Sequence, residues 1–118
     1  MIELGARERK QAPPPRVVWE CLTEPRRPGV RSWLELREGE IEPRIIEAVC
    51  PTLVVWSSLW PARPRDVIRF DLRDAGDGCA LRWTLLSPDE APGDALLGHL
   101  RHRLNYLINA RLRYSFGQ

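Results

Sequence analysis

The strongest pattern of apolar and polar positions in the chain is the helical spacing near its C-terminus, over residues 92–116. At about 100° per residue, the apolar side chains fall within about a third of a turn, which is the width of a helix face packed on a sheet. They are Leu96, Leu97, Leu100, Leu104, Leu107, Ile108 and Tyr114. Asp94 at the start and arginines further on suit the helix dipole. The pattern predicts one long C-terminal helix.

The other side of this helix is polar and is expected to face water; it carries His102, Asn105, Asn109 and Arg113. Arg111 departs from the pattern because it falls near the middle of the apolar arc, where a charge is costly unless it is paired or reaches water. Two interpretations stay open. Arg111 could bind a carboxylate or phosphate of a mostly apolar ligand at the mouth of a groove. Alternatively, the helix could extend past the sheet at this point, or Arg111 could pair with an acid at the edge of the core such as Glu47 or Asp71.

Upstream of the helix the apolar spacing changes to two, which is the spacing of strands. Strands are predicted over residues 2–11, 33–37, 44–50, 52–60, 66–74 and 79–86. A short helix is predicted over residues 16–24, because prolines are tolerated in a first helical turn. The segment DAGDG at 74–78 is the clearest hairpin turn in the chain.

This order of elements predicts an α+β fold, in which a curved antiparallel sheet carries its helices on one side. A short helix follows the first strand, and the long C-terminal helix crosses the concave face of the sheet, leaving a groove between them. The strand at 52–60 is apolar on both faces, so we expect it to be central or to face a cavity.

The composition narrows the possible functions. With 118 residues, the chain is long enough for a single domain spanning residues 1–118. It has no long apolar run and no N-terminal signal, so we expect no membrane span and a cytoplasmic location. The 18 basic and 16 acidic side chains leave a formal net charge of +2, too little to indicate nucleic-acid binding. Cys21, Cys50 and Cys79 lie far apart and are expected to be small buried residues, not a disulfide framework.

No motif in the chain identifies a reaction. The sequence contains no P-loop, GxGxxG, HExxH or GxSxG, and no cofactor is predicted. His99 and His102 have a spacing that can share a metal, but without a placed carboxylate or cysteine partner no metal site is predicted. Catalysis needs buried titratable groups. The acids of the strand region are expected mostly on outward faces, so an enzyme is uncertain; these acids are Glu35, Glu42, Glu47, Asp66 and Asp71.

The order of elements and several segments resemble the SRPBCC superfamily, which has the START-like or birch-pollen-allergen-like helix-grip fold. These segments are PPRVVWECL at 14–22, Trp33, GE at 39–40, VIRFDL at 67–72, GDGCALRWT at 76–84 and LNYL at 104–107. The resemblance covers about residues 1–116 and rests on arrangement, not on a catalytic signature. It implies a sheet that grips the C-terminal helix and encloses a pocket for an apolar or amphipathic small molecule.

Within such a pocket, we expect the ligand to contact Trp56, Phe70, Trp83, Leu104 and Arg111. The five tryptophans of the chain fit either an aromatic-lined pocket or a bulky core. Three functions therefore stay open, because a fold alone does not choose among them. The first is a ligand-binding domain. The second is an interaction module, a homodimer or a partner-binding domain, with a filled core and an exposed apolar patch such as strand 52–60. The third is an enzyme of the cyclase or dehydratase type.

Overall fold

The computed structural model describes residues 1–29 and 31–117; Val30, in the connection after the first helix, and Gln118 lie outside them. The strands are β1 (Ile2–Gln11), β2 (Ile45–Val49), β3 (Leu53–Ser57), β4 (Val67–Asp74) and β5 (Cys79–Ser87). They form one antiparallel sheet in the order β1-β5-β4-β3-β2, so β1 and β2 are its edges. The predicted α+β helix-grip architecture is confirmed.

Two helical regions complete the fold. Helix α1 (Pro15–Thr23) follows β1 and begins at the prolines, as the sequence predicts. The C-terminal helix consists of α2 (Asp94–Tyr106), a π-helical segment (Leu107–Leu112) and α3 (Arg113–Ser115). Within the described residues, none of the helices combines the length and the apolar composition needed to cross a membrane.

The predicted turn between β4 and β5 is present. The N–H of Ala75 donates to the carbonyl of Gly78 at 3.0 Å. Gly76 has a φ of +87°, a left-handed conformation that glycine adopts without steric cost. This turn sets the register in which Phe70 of β4 lies opposite Trp83 of β5.

The prediction of a strand at 33–37 is wrong, because these residues form no strand hydrogen bonds with the sheet. Trp33 and Leu34 are nevertheless both buried in the core. Trp33 stacks on Trp56 with ring centroids 5.9 Å apart, and the carbonyl of Glu35 accepts a hydrogen bond from Arg103 at 3.1 Å. Consecutive burial and a side-chain partner for the backbone are features of an irregular segment packed on the core, which a short apolar–polar alternation does not distinguish from a strand.

The core lies between the inner face of the sheet, α1 and the C-terminal helix. Trp56 is its aromatic centre, with Trp33 stacked on it and Phe70 edge-on at 4.7 Å. Leu104 from α2 and Leu22 from α1 are fully buried in the same cluster. Each large apolar side chain buried in this way contributes about 1.5–3 kcal/mol, so this cluster supplies most of the stabilisation of the fold.

The π-helical segment changes which side chains the C-terminal helix buries. A π turn has a wider repeat than an α turn, so it rotates the following residues relative to a regular helical wheel. Leu112 is fully buried, whereas Tyr114, predicted on the apolar face, is exposed. Leu96, in the first turn of α2, is exposed as well. The leucine face of the sequence is thus correct in the middle of the helix and shifted near its end.

Candidate functional site

Four of the five predicted ligand-binding residues lie in the packed core. Trp56, Phe70 and Leu104 are fully buried, and Trp83 is 2% exposed. The indole N–H of Trp56 donates to the carbonyl of Leu22 at 2.9 Å. Among the five main surface clefts in the described part of the chain, one reaches Trp83 and another reaches Trp56, and neither Phe70 nor Leu104 lines any of them. A ligand between sheet and helix would have to separate side chains that contact each other.

Arg111, the fifth predicted residue, lies at the margin of the core. Its Nη2 is 3.1 Å from Oε2 of Glu35, and about a third of the Arg111 side chain is exposed. The partner is thus Glu35 and not Glu47 or Asp71, the acids expected from the sequence. Nε of Arg111 is buried without a hydrogen-bond partner among the described residues, whereas the exposed part of the side chain reaches water. A partly exposed pair of this kind contributes about 0–1 kcal/mol.

The buried cation of the C-terminal helix is Arg103, which the sequence analysis did not single out. Its side chain is 1% exposed, and that of its partner Glu40 is 3% exposed. Nε of Arg103 donates to one oxygen of Glu40 at 2.8 Å, and Nη2 donates to the other at 2.7 Å. The Glu40 carboxylate also accepts from the backbone N–H of Arg37 at 2.9 Å and from the indole N–H of Trp60 at 3.2 Å.

These contacts hold Glu40 in its ionised form. Burial by itself would raise the pKa of Glu40, because a low-dielectric environment disfavours a carboxylate. The hydrogen bonds from Arg103, the Arg37 amide and Trp60, with the charge of Arg103, outweigh burial, so the pKa of Glu40 lies below its ordinary value. The pair ties the segment before β2 to the C-terminal helix. No local spacing reveals it, because its members are 63 residues apart.

A cleft of about 540 Å³ opens beside the core, between β1 and the C-terminal helix. Its floor includes Trp83, and its walls include Glu3 and Arg7 of β1 and Arg101, His102 and Asn105 of α2. The cleft is mainly polar and open to solvent. None of its wall residues was predicted to bind a ligand, because the apolar–polar pattern of its strand or helix predicts that each of them faces solvent.

A β-bulge in β1 shapes this cleft. The register shifts between Glu3 and Gly5, and Nε of Arg101 donates to the carbonyl of Leu4 at 2.7 Å. A Cβ at Gly5 would lie only 2.9 Å from Cγ of Arg101. Glycine at this position therefore allows α2 to approach the strand, and the bulge supplies the carbonyl that fixes the arginine.

A chain of side-chain amides fixes Asn105 at the wall of the cleft. Nε2 of Gln11 donates to Oδ1 of Asn109 at 3.3 Å, and Nδ2 of Asn109 donates to Oδ1 of Asn105 at 2.8 Å. The amide N–H groups of Asn105 therefore stay free to donate elsewhere. Asn109 was expected to face water and is buried instead, because Gln11 reaches it from β1. At the floor, the indole N–H of Trp83 is buried without a partner among the described residues.

A second surface feature is the edge strand β2, all five residues of which are exposed. Ile45, Ile46 and Val49 are 41%, 54% and 51% exposed, and Ile41 just before the strand is 49% exposed. The apolar patch expected on residues 52–60 is therefore on the neighbouring strand. β3 lies between β2 and β4, and Trp56 on its inner face belongs to the core, so β3 is covered where β2 is not.

The remaining candidate groups are dispersed. Cys79 is buried, and burial raises the pKa of its thiol to about 11. Cys50 is exposed, which corrects the expectation that all three cysteines are buried, because it lies just beyond the end of the edge strand β2. Among residues 1–29 and 31–117, no group of three His, Cys, Asp or Glu side chains is arranged to hold a metal ion.

Comparison with known proteins gives a likeness in structure only. No family model and no curated protein sequence matches the chain. The Aha1 dimer from Colwellia psychrerythraea has a TM-score of 0.68 at 14% identity, covering 98% of this chain and 96% of that one. CalU16 from Micromonospora echinospora has a TM-score of 0.65 at 18% identity, covering 88% and 70%.

The AHSA1-like protein RHE_CH02687 from Rhizobium etli has a TM-score of 0.58 at 21% identity, covering 97% of this chain and 82% of that one. Identities this low establish a shared fold and not a shared activity. These neighbours are SRPBCC proteins. The chain therefore shares the helix-grip fold of these structures.

Proposed function

We propose that this domain is an interaction module that binds a second copy of the same chain through its edge strand β2. The observation that carries this proposal is the concentration of exposed aliphatic side chains on one segment. Nine large apolar side chains are exposed in the described part of the chain, and four of them are Ile41, Ile45, Ile46 and Val49. Clusters of this kind mark interaction surfaces, whereas apolar residues exposed singly need no explanation.

The shape of the edge favours contact through side chains. The bulge between Ile45 and Glu47 twists β2, and prolines 43 and 51 flank the strand. Bulges and prolines limit the addition of further strands at an edge. The half-exposed aliphatic side chains stay available, and covering each of them contributes about 1 kcal/mol.

The charges beside the patch favour a second copy as the occupant. Arg44 and Glu47 are exposed, and neither makes an ion pair within the described residues. In a dimer whose two β2 segments lie antiparallel and touch through side chains, a twofold axis between Ile45 and Ile46 brings Arg44 of each copy near Glu47 of the other, because both positions are equally far from the axis. The segment thus carries an apolar centre and two complementary charges, as a symmetric interface requires.

Sedimentation equilibrium of the full chain tests this proposal. We expect a reversible monomer–dimer equilibrium that the double substitution Ile46→Ser with Val49→Ser shifts to monomer. The matched control is Val17→Ser with Leu96→Ser, which removes two exposed aliphatic side chains elsewhere on the surface. A wild-type chain that stays monomeric at high protein concentration would overturn the proposal. Equal weakening by both double variants would overturn the assignment to β2.

A small-molecule role is the second candidate, and the surface cleft with Arg7 and Arg101 on its walls favours it. Because Phe70 and Leu104 are fully buried, we expect a ligand in this cleft and not among the core side chains. The cyclase or dehydratase alternative has less support, because the buried carboxylate of Glu40 already accepts hydrogen bonds from Arg103, Trp60 and the Arg37 amide.

A further inference from the structure

We propose that the cleft between β1 and the C-terminal helix binds a small organic anion, with its carboxylate or phosphate group held between Arg7 and Arg101. The site shares no residue with the β2 edge, so it is independent of the proposed dimer. It also differs from the apolar interior groove expected from the sequence, because its walls are polar and only Trp83 belongs to both.

The charge of the walls points to an anion. Arg7 reaches the cleft from β1 and Arg101 reaches it from α2, and neither forms an ion pair within the described residues. Glu3 is the acidic side chain of the wall, so two arginines face one carboxylate. The planar guanidinium presents paired N–H groups that match carboxylate and phosphate oxygens. Arg101 uses its Nε on the carbonyl of Leu4, which leaves its terminal nitrogens free for a ligand.

Asn105 adds a neutral donor to this charge. It is oriented through its carbonyl oxygen by Asn109, so its amide N–H groups are free. The indole N–H of Trp83 lies below the surface of the cleft, so a ligand in the cleft does not reach it. The free hydrogen-bonding groups of the site are thus predominantly donors, which selects an oxyanion.

The dimensions of the cleft select a small ligand. Its volume of about 540 Å³ lies within the range of small-molecule sites, about 300–1,000 Å³. The bulge and Gly5 shape its wall, because the Arg101 side chain lies over Gly5, where a Cβ would meet it. A benzoate-sized anion therefore fits the charge and the volume of the cleft.

Isothermal titration calorimetry of the full chain with four probes tests the proposal. Benzoate and phenyl phosphate should bind, benzyl alcohol of similar shape should bind at least about tenfold more weakly, and benzylamine should not bind. One charged contact of about 1.4 kcal/mol corresponds to this factor. The two anions distinguish a carboxylate site from a phosphate site. Binding of none of the anions at millimolar concentration, or equal binding of benzyl alcohol, would overturn the proposal.

Matched variants locate the site. Arg7→Gln should weaken anion binding about tenfold, whereas Arg9→Gln, the same charge change on the same strand outside the cleft, should leave it unchanged. Equal effects of the two arginine variants would place any binding elsewhere.

Discussion

Strands β5 and β2 are both rich in apolar residues, but their environments are opposite. β5 lies between β1 and β4, and Leu81 and Leu85 on its inner face are fully buried. β2 is paired on one side only, and Ile45, Ile46 and Val49 stay exposed. The difference comes from position in the sheet and not from the apolar content of the strand. An apolar strand at the centre stabilises the fold, whereas one at the edge is available to a partner.

The largest expected effect in this comparison is on the free energy of unfolding. Leu85→Ala should lower it by about 3–5 kcal/mol, because the substitution leaves a cavity in the core. Ile46→Ala should change it by less than about 0.5 kcal/mol at concentrations where the chain is monomeric, because surface substitutions have small effects. Urea unfolding followed by tryptophan fluorescence measures both values. Similar losses for the two variants would mean that β2 is packed like β5.

The elements that the sequence predicts well are those with local signals. The DAGDG turn and the alternation of apolar residues specify the β4–β5 hairpin, and the leucine spacing specifies the middle of the C-terminal helix. The prediction of a strand at 33–37 was wrong because five alternating residues are compatible with an irregular segment as well as with a strand. Strand order determines which apolar strand is exposed, and no local spacing contains that order.

The candidate sites were less predictable because they depend on contacts between distant residues. Arg103 meets Glu40 across 63 positions, and Arg101 meets the carbonyl of Leu4 across 97. A regular helical wheel gave Arg111 more weight than Arg103, although Arg103 is the more deeply buried of the two. An arginine on a helix is expected to face water until its partner is known, and the partner of Arg103 lies far away in the sequence.

The next largest effect is on the pH dependence of stability, where the buried carboxylate of Glu40 differs from the exposed one of Glu47 on β2. The pKa of Glu40 is lower in the folded than in the unfolded chain, where a glutamate titrates near about 4.3. Its contribution to stability is therefore complete above that pH and is lost as the pH falls toward the folded pKa, with a limiting slope of about 1.4 kcal/mol per pH unit.

Urea unfolding of the two glutamine variants between pH 3 and pH 7 checks this assignment, with the pH range chosen around the glutamate pKa of about 4.3. Glu40→Gln should flatten the acid limb of the stability profile and lower stability at neutral pH, because Arg103 then stays buried without a counter-charge. Glu47→Gln should leave the acid limb as in the wild type. An unchanged acid limb in Glu40→Gln would show that other carboxylates cause the acid sensitivity.

The smallest expected effect concerns two single charges on the exposed edge, Arg44 and Glu47. In the proposed dimer, Arg44 of each copy lies near Glu47 of the other, so Arg44→Glu or Glu47→Arg places like charges together at two symmetric contacts. Each exposed pair contributes about 0.2–1 kcal/mol, so either reversal should weaken dimerisation about tenfold at low salt. The double reversal restores opposite charges and should restore the dimer Kd.

Arg82→Glu, the same reversal on an exposed residue of β5, should leave the Kd unchanged. If both single reversals and the double variant dimerise equally well, the charges do not meet across a twofold axis, and the dimer uses another part of the β2 surface.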